Sequence, residues 1–95
     1  MNKYFDWNKE KNEILKKERD ISFEQVVDAI NQGNILDTFG HPDQKKYKGQ
    51  KVYVIEIKSY AYFVPYVEDS EKKFLKTIYP SRDATKKYLV KTKKV

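Results

Sequence analysis

The chain has 95 residues, which suits one small domain around a single core. It contains no cysteine, so disulfides, thiolate zinc sites and cysteine nucleophiles are excluded. Its net charge of +6 is uneven, because residues 1–50 hold nine basic and nine acidic residues, whereas residues 51–95 hold eleven and five. A one-sided positive charge favours a polyanionic partner, either nucleic acid or an acidic protein. The alternative is a lysine-rich surface that only keeps the protein in solution.

The start of the sequence has no basic region followed by an apolar stretch, which a secretory signal would need. No apolar run approaches the roughly 20 residues that cross a bilayer. We therefore expect a cytoplasmic protein that makes no membrane contact. It should form a single domain over residues 1–95, with residues 91–95 as a flexible basic tail.

The first half of the sequence predicts a short aromatic strand and two helices. The strand covers residues 4–7, and Asn8 is suited to the N-cap of a charged helix over residues 9–19. Ser22 and Gln25 have the spacing of a capping box, and apolar residues follow at helical spacing. The second helix should therefore begin after Ser22 and end before Gly33.

The second half predicts strands joined by short connections. Alternating and aromatic residues favour strands, Pro65 indicates an edge or a bulge, and residues 68–73 read as a charged turn. Ser81 or Asp83 then caps a short helix that ends by about Val90. The strands are predicted at residues 35–39, 51–58, 61–67 and 74–79. The expected fold is α+β, with two N-terminal helices packed on a small antiparallel sheet of three to four strands and a short C-terminal helix.

Several segments, in this order, resemble the BrnT-like toxin family, which has the RelE-type fold. They are Tyr4-Phe5-Asp6-Trp7-Asn8 before a charged helix, Ile21-Ser22-Phe23-Glu24, Lys51-Val52-Tyr53-Val54, Tyr66-Val67-Glu68 and Ser81-Arg82-Asp83-Ala84-Thr85. The chain differs from the family's usual pattern in that residues 74–79 contain no arginine and the last helix is short.

The resemblance implies the toxin of a toxin–antitoxin pair, which cleaves RNA without a metal or another cofactor. It also implies a cognate antitoxin with a ribbon-helix-helix DNA-binding part, which joins the toxin in a heterotetramer. The alternative is a non-catalytic module that binds RNA or the antitoxin. Metal-free cleavage uses the 2′-hydroxyl of RNA as nucleophile. The protein must supply a base for that hydroxyl and positive charge for the phosphorane.

Four residues are candidates for the catalytic site. Arg82 is suited to binding phosphate because its planar guanidinium group can contact two phosphate oxygens. It also follows a predicted strand at the start of a helix, where backbone N–H groups add positive potential. The alternative is an ion pair of Arg82 with Asp83 or Glu56. His41 is the only histidine and can serve as base or acid, although a loop histidine is more often simply exposed. The other two candidates are Lys51 and Tyr66.

Five further residues are candidates for RNA binding. Lys58 and Lys76 lie on or beside predicted strands, where lysine also serves to block sheet pairing. Lys86 and Lys87 belong to a basic run that can contact the RNA backbone or an acidic antitoxin. Tyr88 projects from the last helix, where its ring can stack on a base. Core packing is the alternative for the tyrosines.

Overall fold

The computed structural model describes residues 3–40, 43–46 and 48–90, and within these ranges the chain forms a layered arrangement of strands and helices. The strands are β1 (Tyr4–Trp7), β2 (Ile35–Gly40), β3 (Lys51–Ile57), β4 (Tyr60–Glu68), β5 (Lys72–Leu75) and β6 (Tyr79–Pro80). The helices are α1 (Lys9–Arg19), α2 (Phe23–Asn31) and α3 (Arg82–Thr85), and α3 continues into a π-helical turn over Lys86–Val90. No helix in these ranges is long and apolar enough to cross a bilayer.

The six strands form one mixed sheet. Across the sheet the order is β1, β5, β4, β3, β2, and β6 pairs with β4 beyond the end of β5. Strand β1 runs parallel to β5, and each of the other neighbouring pairs is antiparallel. Connections of two and three residues dictate the antiparallel pairs β3–β4 and β4–β5, whereas β1 reaches its partner β5 from the far end of the sequence.

The predicted fold of two N-terminal helices on a small antiparallel sheet of three to four strands is therefore wrong. The sheet has six strands because residues 4–7 join it in parallel and because the predicted strand at residues 74–79 divides into β5 and β6. The helices also occupy both sides of the sheet. We call the side that packs against α1 and α2 the first face, and the side that packs against α3 the second face.

Pro65 explains why β5 and β6 are separate strands. It lies opposite Val52 of β3, and its carbonyl oxygen accepts a hydrogen bond of 2.8 Å from the backbone N–H of Lys76. Proline has no N–H to offer to the same neighbour, so the ladder on this side of β4 cannot continue regularly. An edge or a bulge was predicted at Pro65. The residue lies instead on the interior strand β4, where the pairing of β4 with β5 stops and its pairing with β6 has not yet begun.

The first face carries the larger part of the core. Phe23 of α2 is fully buried and stacks on Trp7 at 5.7 Å between ring centroids. The predicted capping box of Ser22 and Gln25 is confirmed. Asn12 of α1 is also buried, and its side-chain oxygen accepts a 2.8 Å hydrogen bond from the Phe23 N–H. One helix thus supplies a partner for an N–H group at the start of the next, which would otherwise lack one.

The second face holds α3 against the sheet through a smaller apolar cluster. Ala84 is buried against Val54 and Ala61. The Thr85 hydroxyl accepts from the Ala61 N–H at 2.9 Å and donates to the Ser81 carbonyl oxygen at 2.8 Å. These bonds fix the start of α3 beside the beginning of β4.

Candidate active site

Charged side chains from three strands and the residue before β1 meet on the first face, at the end of β4. Lys51 lies directly across from Tyr66, and Glu68 lies directly across from Lys73. Residues opposite each other in an antiparallel pair share a face, so the register alone brings these side chains together. We call Lys3, Lys51, Glu68 and Lys73 the lysine–glutamate cluster.

Glu68 is the only carboxylate of the cluster. Lys3 donates a hydrogen bond to its Oε2, and the Nζ of Lys51 lies 3.5 Å from its Oε1. The hydrogen bond from Lys3 lowers the pKa of Glu68 below its usual value, and the charges of Lys3, Lys51 and Lys73 lower it further, although partial burial opposes them. Glu68 is therefore ionised at neutral pH, and the cluster keeps an excess of positive charge.

Two stacked tyrosines hold Lys73 in place. The rings of Tyr53 and Tyr66 lie 4.2 Å apart at an angle of 14°, and the Nζ of Lys73 donates a 2.9 Å hydrogen bond to the Tyr53 hydroxyl. The same ammonium group lies 5.6 Å from the Tyr53 ring centroid and 6.0 Å from that of Tyr66. At such distances a ring attracts a cation.

Tyr66 stays protonated at neutral pH. Burial, with additions from Tyr53 and the charge of Glu68, raises the pKa of its hydroxyl well above the usual value. Only 3% of the residue is exposed. It cannot serve as a base, and its contact with Tyr53 makes it a support for the position of Lys73.

The cluster combines a proton acceptor with several cations on an accessible surface. The Lys51 side chain is 51% exposed and that of Glu68 is 24% exposed, so a solute can reach both. A carboxylate can accept a proton, and ammonium groups can stabilise a phosphate that gains charge. Among the described residues, no three His, Asp or Glu side chains come together as metal ligands.

The structure brings Lys51 and Tyr66 together but places Arg82 elsewhere. Arg82 begins α3 on the second face, and the preceding Ser81 N–H bonds to the carbonyl oxygen of Ala61. Ala61 and Tyr66 are five residues apart on β4, which corresponds to roughly 17 Å at 3.3 Å per residue. Within the described ranges no ion pair involves Arg82, so neither of its alternative partners holds it. Its role in phosphate binding stays a prediction.

The predicted RNA-binding residues are spread over the molecule. Lys58 lies in the turn between β3 and β4, and Lys76 follows β5. Lys86 and Lys87 are exposed on the π-helical turn, where the hydroxyl of Tyr88 donates to Asp37 of β2. His41 lies outside the described residues.

The interpretation of the sequence missed Lys3, Lys73 and Glu68 as site residues. The sequence did contain a signal for Glu68 and Lys73, because the side chain of Asp69 can close a tight turn between them. Its Oδ1 accepts hydrogen bonds from the N–H groups of Glu71 at 2.8 Å and Lys72 at 2.9 Å. A turn at Asp69 predicts a hairpin that pairs Glu68 with Lys73. Treating residues 68–73 as one turn concealed that pair.

Comparison of the chain with protein-family models, with curated proteins and with solved structures found no match in any of the three. The geometry of the cluster and the pattern of the sequence therefore carry the functional interpretation.

Proposed function

We propose that the protein is a cytoplasmic, metal-independent endoribonuclease and the toxin of a toxin–antitoxin pair, with the lysine–glutamate cluster as its active site. One observation carries the proposal. An ionised carboxylate lies among three ammonium groups on an accessible part of the sheet. Cleavage by the 2′-hydroxyl needs that combination of a base and positive charge. The excess of basic residues in the second half of the chain supports a polyanionic substrate.

Glu68 accepts the proton of the 2′-hydroxyl in the proposed reaction. Lys51 and Lys73 flank it and stabilise the charge that develops on the phosphorus oxygens during attack. Lys3 holds the carboxylate in its ionised form through the hydrogen bond to Oε2. Tyr53 and Tyr66 are positioning residues, since the hydroxyl of Tyr53 binds the ammonium of Lys73 and Tyr66 stacks on the Tyr53 ring. His41 remains a candidate for the acid that protonates the leaving oxygen.

The toxin assignment rests on the resemblance to the BrnT-like family. That resemblance supplies the proposed partner, an antitoxin with a ribbon-helix-helix DNA-binding part, and the proposed heterotetramer. The RelE-type fold is not part of the proposal, because the sheet is six-stranded and mixed.

A second candidate function is a non-catalytic module that binds RNA or the antitoxin. One specific observation favours it. Glu68 is already engaged by Lys3 and lies within ion-pair distance of Lys51, as expected for a structural ion-pair network. In such a module the lysines would bind phosphates and the carboxylate would only orient them.

Incubation of the purified protein with single-stranded RNA, together with expression in growing cells, tests the proposal. We expect fragments ending in 2′,3′-cyclic phosphate, arrested growth, and the loss of both when Lys51 is replaced by Ala. The matched control is Lys11→Ala, which removes a lysine exposed on α1. RNA that shifts in a gel with salt-dependent affinity but stays intact would support the binding module. Intact RNA combined with unaffected growth would refute the toxin proposal.

A further inference from the structure

A cavity opens between the edge strand β1 and the N-terminal parts of α1 and α2, beside the lysine–glutamate cluster. Its volume is 330 Å³, at the lower end of the range of about 300–1,000 Å³ that is usual for small-ligand sites. It therefore suits one small molecule, or one base of a longer chain. We call it the β1 cavity, and its lining includes Phe5, Trp7, Lys9, Asn12 and Glu24.

The β1 cavity adjoins the lysine–glutamate cluster through Phe5. Phe5 pairs with Lys73 across the parallel strands β1 and β5, and the Nζ of Lys73 lies 5.9 Å from the centroid of the Phe5 ring. Lys3, which binds Glu68, immediately precedes the same strand. A nucleotide whose phosphate meets these lysines can therefore place its base in the cavity.

Two aromatic rings supply flat apolar walls to the cavity. Phe5 and Trp7 are two residues apart on β1, so both lie on the first face of the sheet, where they pack against the core. Phe23 of α2 stacks on Trp7 at an angle of 22° and fixes the position of its ring. Proteins that recognise single-stranded RNA use rings of this kind, on which an unpaired base stacks.

Three carboxylates line the β1 cavity, but ammonium groups balance their charge. Asp6 and Glu13 make ion pairs of 3.1 Å and 3.2 Å with lysines outside the lining. Glu24 makes no ion pair within the described part of the chain, while Lys9 adds a third ammonium group to the lining itself. Three negative charges thus meet three positive charges. This balance, together with the positive cluster beside the cavity, favours an uncharged ligand over a cation.

Asn12 holds the carboxylate of Glu24 in a fixed position. Asn12 is 3% exposed, and its Nδ2 donates a 2.8 Å hydrogen bond to the Oε1 of Glu24. The Oδ1 of Asn12 is itself anchored by the Phe23 N–H. The hydrogen bond from Asn12 lowers the pKa of Glu24, although burial opposes it, so the carboxylate is ionised at neutral pH and can only accept hydrogen bonds. A base that binds Glu24 must therefore offer N–H donors.

Guanine is the base whose hydrogen-bonding groups match this lining. Its N1–H and N2–H donors are adjacent and parallel, so one carboxylate can accept from both. Adenine and cytosine offer one amino group beside an acceptor nitrogen, and uracil offers one ring N–H between two carbonyl oxygens. The ammonium of Lys9 can donate to the guanine O6, which lies on the same edge of the base.

We propose that the β1 cavity is the base subsite of the ribonuclease and selects guanine. The base stacks on the aromatic walls, its N1–H and N2–H groups bind the carboxylate of Glu24, and its 3′-phosphate extends to Lys73. Glu24 and Lys9 determine specificity, and Asn12 is a positioning residue. The inference rests on the proposed function and deepens it, because the 2′-hydroxyl that attacks belongs to the selected nucleotide. Cleavage therefore falls on the 3′ side of guanosine.

Tryptophan fluorescence tests the proposal without relying on cleavage, because Trp7 is the only tryptophan in the chain. The full chain is titrated with the 3′-monophosphates of guanosine, adenosine, cytidine and uridine. We expect guanosine 3′-monophosphate to quench the emission and to bind at least about tenfold more tightly than the other three, as one good bidentate contact allows. In parallel, the ends of RNA fragments should show cleavage after guanosine.

Glu24→Gln should abolish the preference for guanine, because an amide has one acceptor oxygen instead of two. The fold should persist, since that oxygen can still accept from Asn12. Lys9→Ala, at the exposed start of α1, should narrow the preference and keeps the test decisive if circular dichroism shows that Glu24→Gln is unfolded. The matched control is Glu10→Gln, which removes a carboxylate from the first turn of α1 that does not line the cavity.

The inference is overturned if no nucleotide quenches Trp7, if guanosine 3′-monophosphate does not bind most tightly, or if folded Glu24→Gln keeps the preference. It is also overturned if agmatine, a guanidinium probe, quenches more strongly than the nucleotide, because the occupant would then be a cation. RNA cleavage without base preference or quenching would refute the subsite and leave the ribonuclease standing. Guanine-selective quenching by a protein that leaves RNA intact would refute the ribonuclease and support the subsite as part of the RNA-binding module.

Discussion

Replacing Glu68 with Gln should separate binding from catalysis in the lysine–glutamate cluster. The substitution keeps the size of the side chain but removes the proton acceptor and the negative charge. The ammonium groups of Lys3 and Lys51 then lose their carboxylate and gain freedom to bind phosphate. We therefore expect Glu68→Gln to bind RNA more tightly than the unaltered protein while cleaving it more slowly. A residue that only orients the lysines would not raise affinity and lower rate together.

The size of the effect follows from the role and the pKa of Glu68. A positioned general base contributes about 10²- to 10⁴-fold in rate, equivalent to about 2.7–5.5 kcal/mol of activation free energy. The pKa of Glu68 lies below its ordinary value of 4.5. At pH 7 the protonated fraction is therefore under about one in three hundred, and the base is available throughout the neutral range. Because a low pKa also makes a weaker base, the lower end of the rate range is expected.

The pH profile of single-turnover cleavage distinguishes Glu68 from His41 as the base. If Glu68 is the base, cleavage persists as the pH falls through 6 and declines only below 4.5. If an unperturbed histidine were the base, the cleavage rate would decline at about pH 6.5 as the pH falls. The control is Glu71→Gln, an exposed acid in the turn before β5, which should match the unaltered protein. A decline near pH 6.5, or cleavage by Glu68→Gln at the normal rate, would refute the assignment.

Three further results are expected. Arg82→Ala should change the cleavage rate by less than about threefold, because α3 lies on the face opposite the lysine–glutamate cluster. If the substitution abolished cleavage, the result would support the sequence-based prediction that Arg82 binds the phosphate. Asn12→Ala should lower the free energy of unfolding by about 1–3 kcal/mol in urea titration, because the buried N–H of Phe23 loses its acceptor; an unchanged midpoint would contradict this. Some carboxyl groups have a lower pKa in the folded chain than in the unfolded chain. These groups stabilise the fold above their unfolded pKa values, about 4. They lose that contribution as the pH falls through their lower folded pKa values. Thermal denaturation between pH 5 and pH 2 should show this loss, and a melting temperature that stays constant would argue against it. The groups are Asp6, Glu24, Asp37, Glu68 and Asp69.

Local signals in the sequence were sufficient for most of the individual elements. The first helix covers the predicted residues 9–19, and the second begins at its capping box. Side-chain caps and helical spacing act over a few residues, so they can be read without knowledge of the tertiary structure. The arrangement of the elements could not be read in the same way. Nothing near residues 4–7 indicates that they pair with β5.

The composition of the candidate site could not be predicted in full, because it depends on how the strands pair. Lys51 and Tyr66 were predicted from the residues themselves, but their contact with Glu68 and Lys73 follows from strand register. The register between β4 and β5, which pairs Glu68 with Lys73, depends on one short turn at Asp69. Arg82 was expected to share the site because a positive charge at a strand end suits phosphate. The two faces of the sheet separate it from the cluster, and that separation depends on which side α3 packs against.

The parallel pairing of β1 with β5 has a consequence for the time at which the site forms. Lys3 and Glu68 are 65 residues apart in the sequence, and Trp7 pairs with Leu75. Contacts over such separations form late in folding, because a long loop must close first. A ribosome adds about 5–20 residues per second, so several seconds pass between synthesis of the two strands. A growing chain that has not yet reached β5 therefore lacks the assembled lysine–glutamate cluster, and any activity of that cluster begins only after β5 has been synthesised.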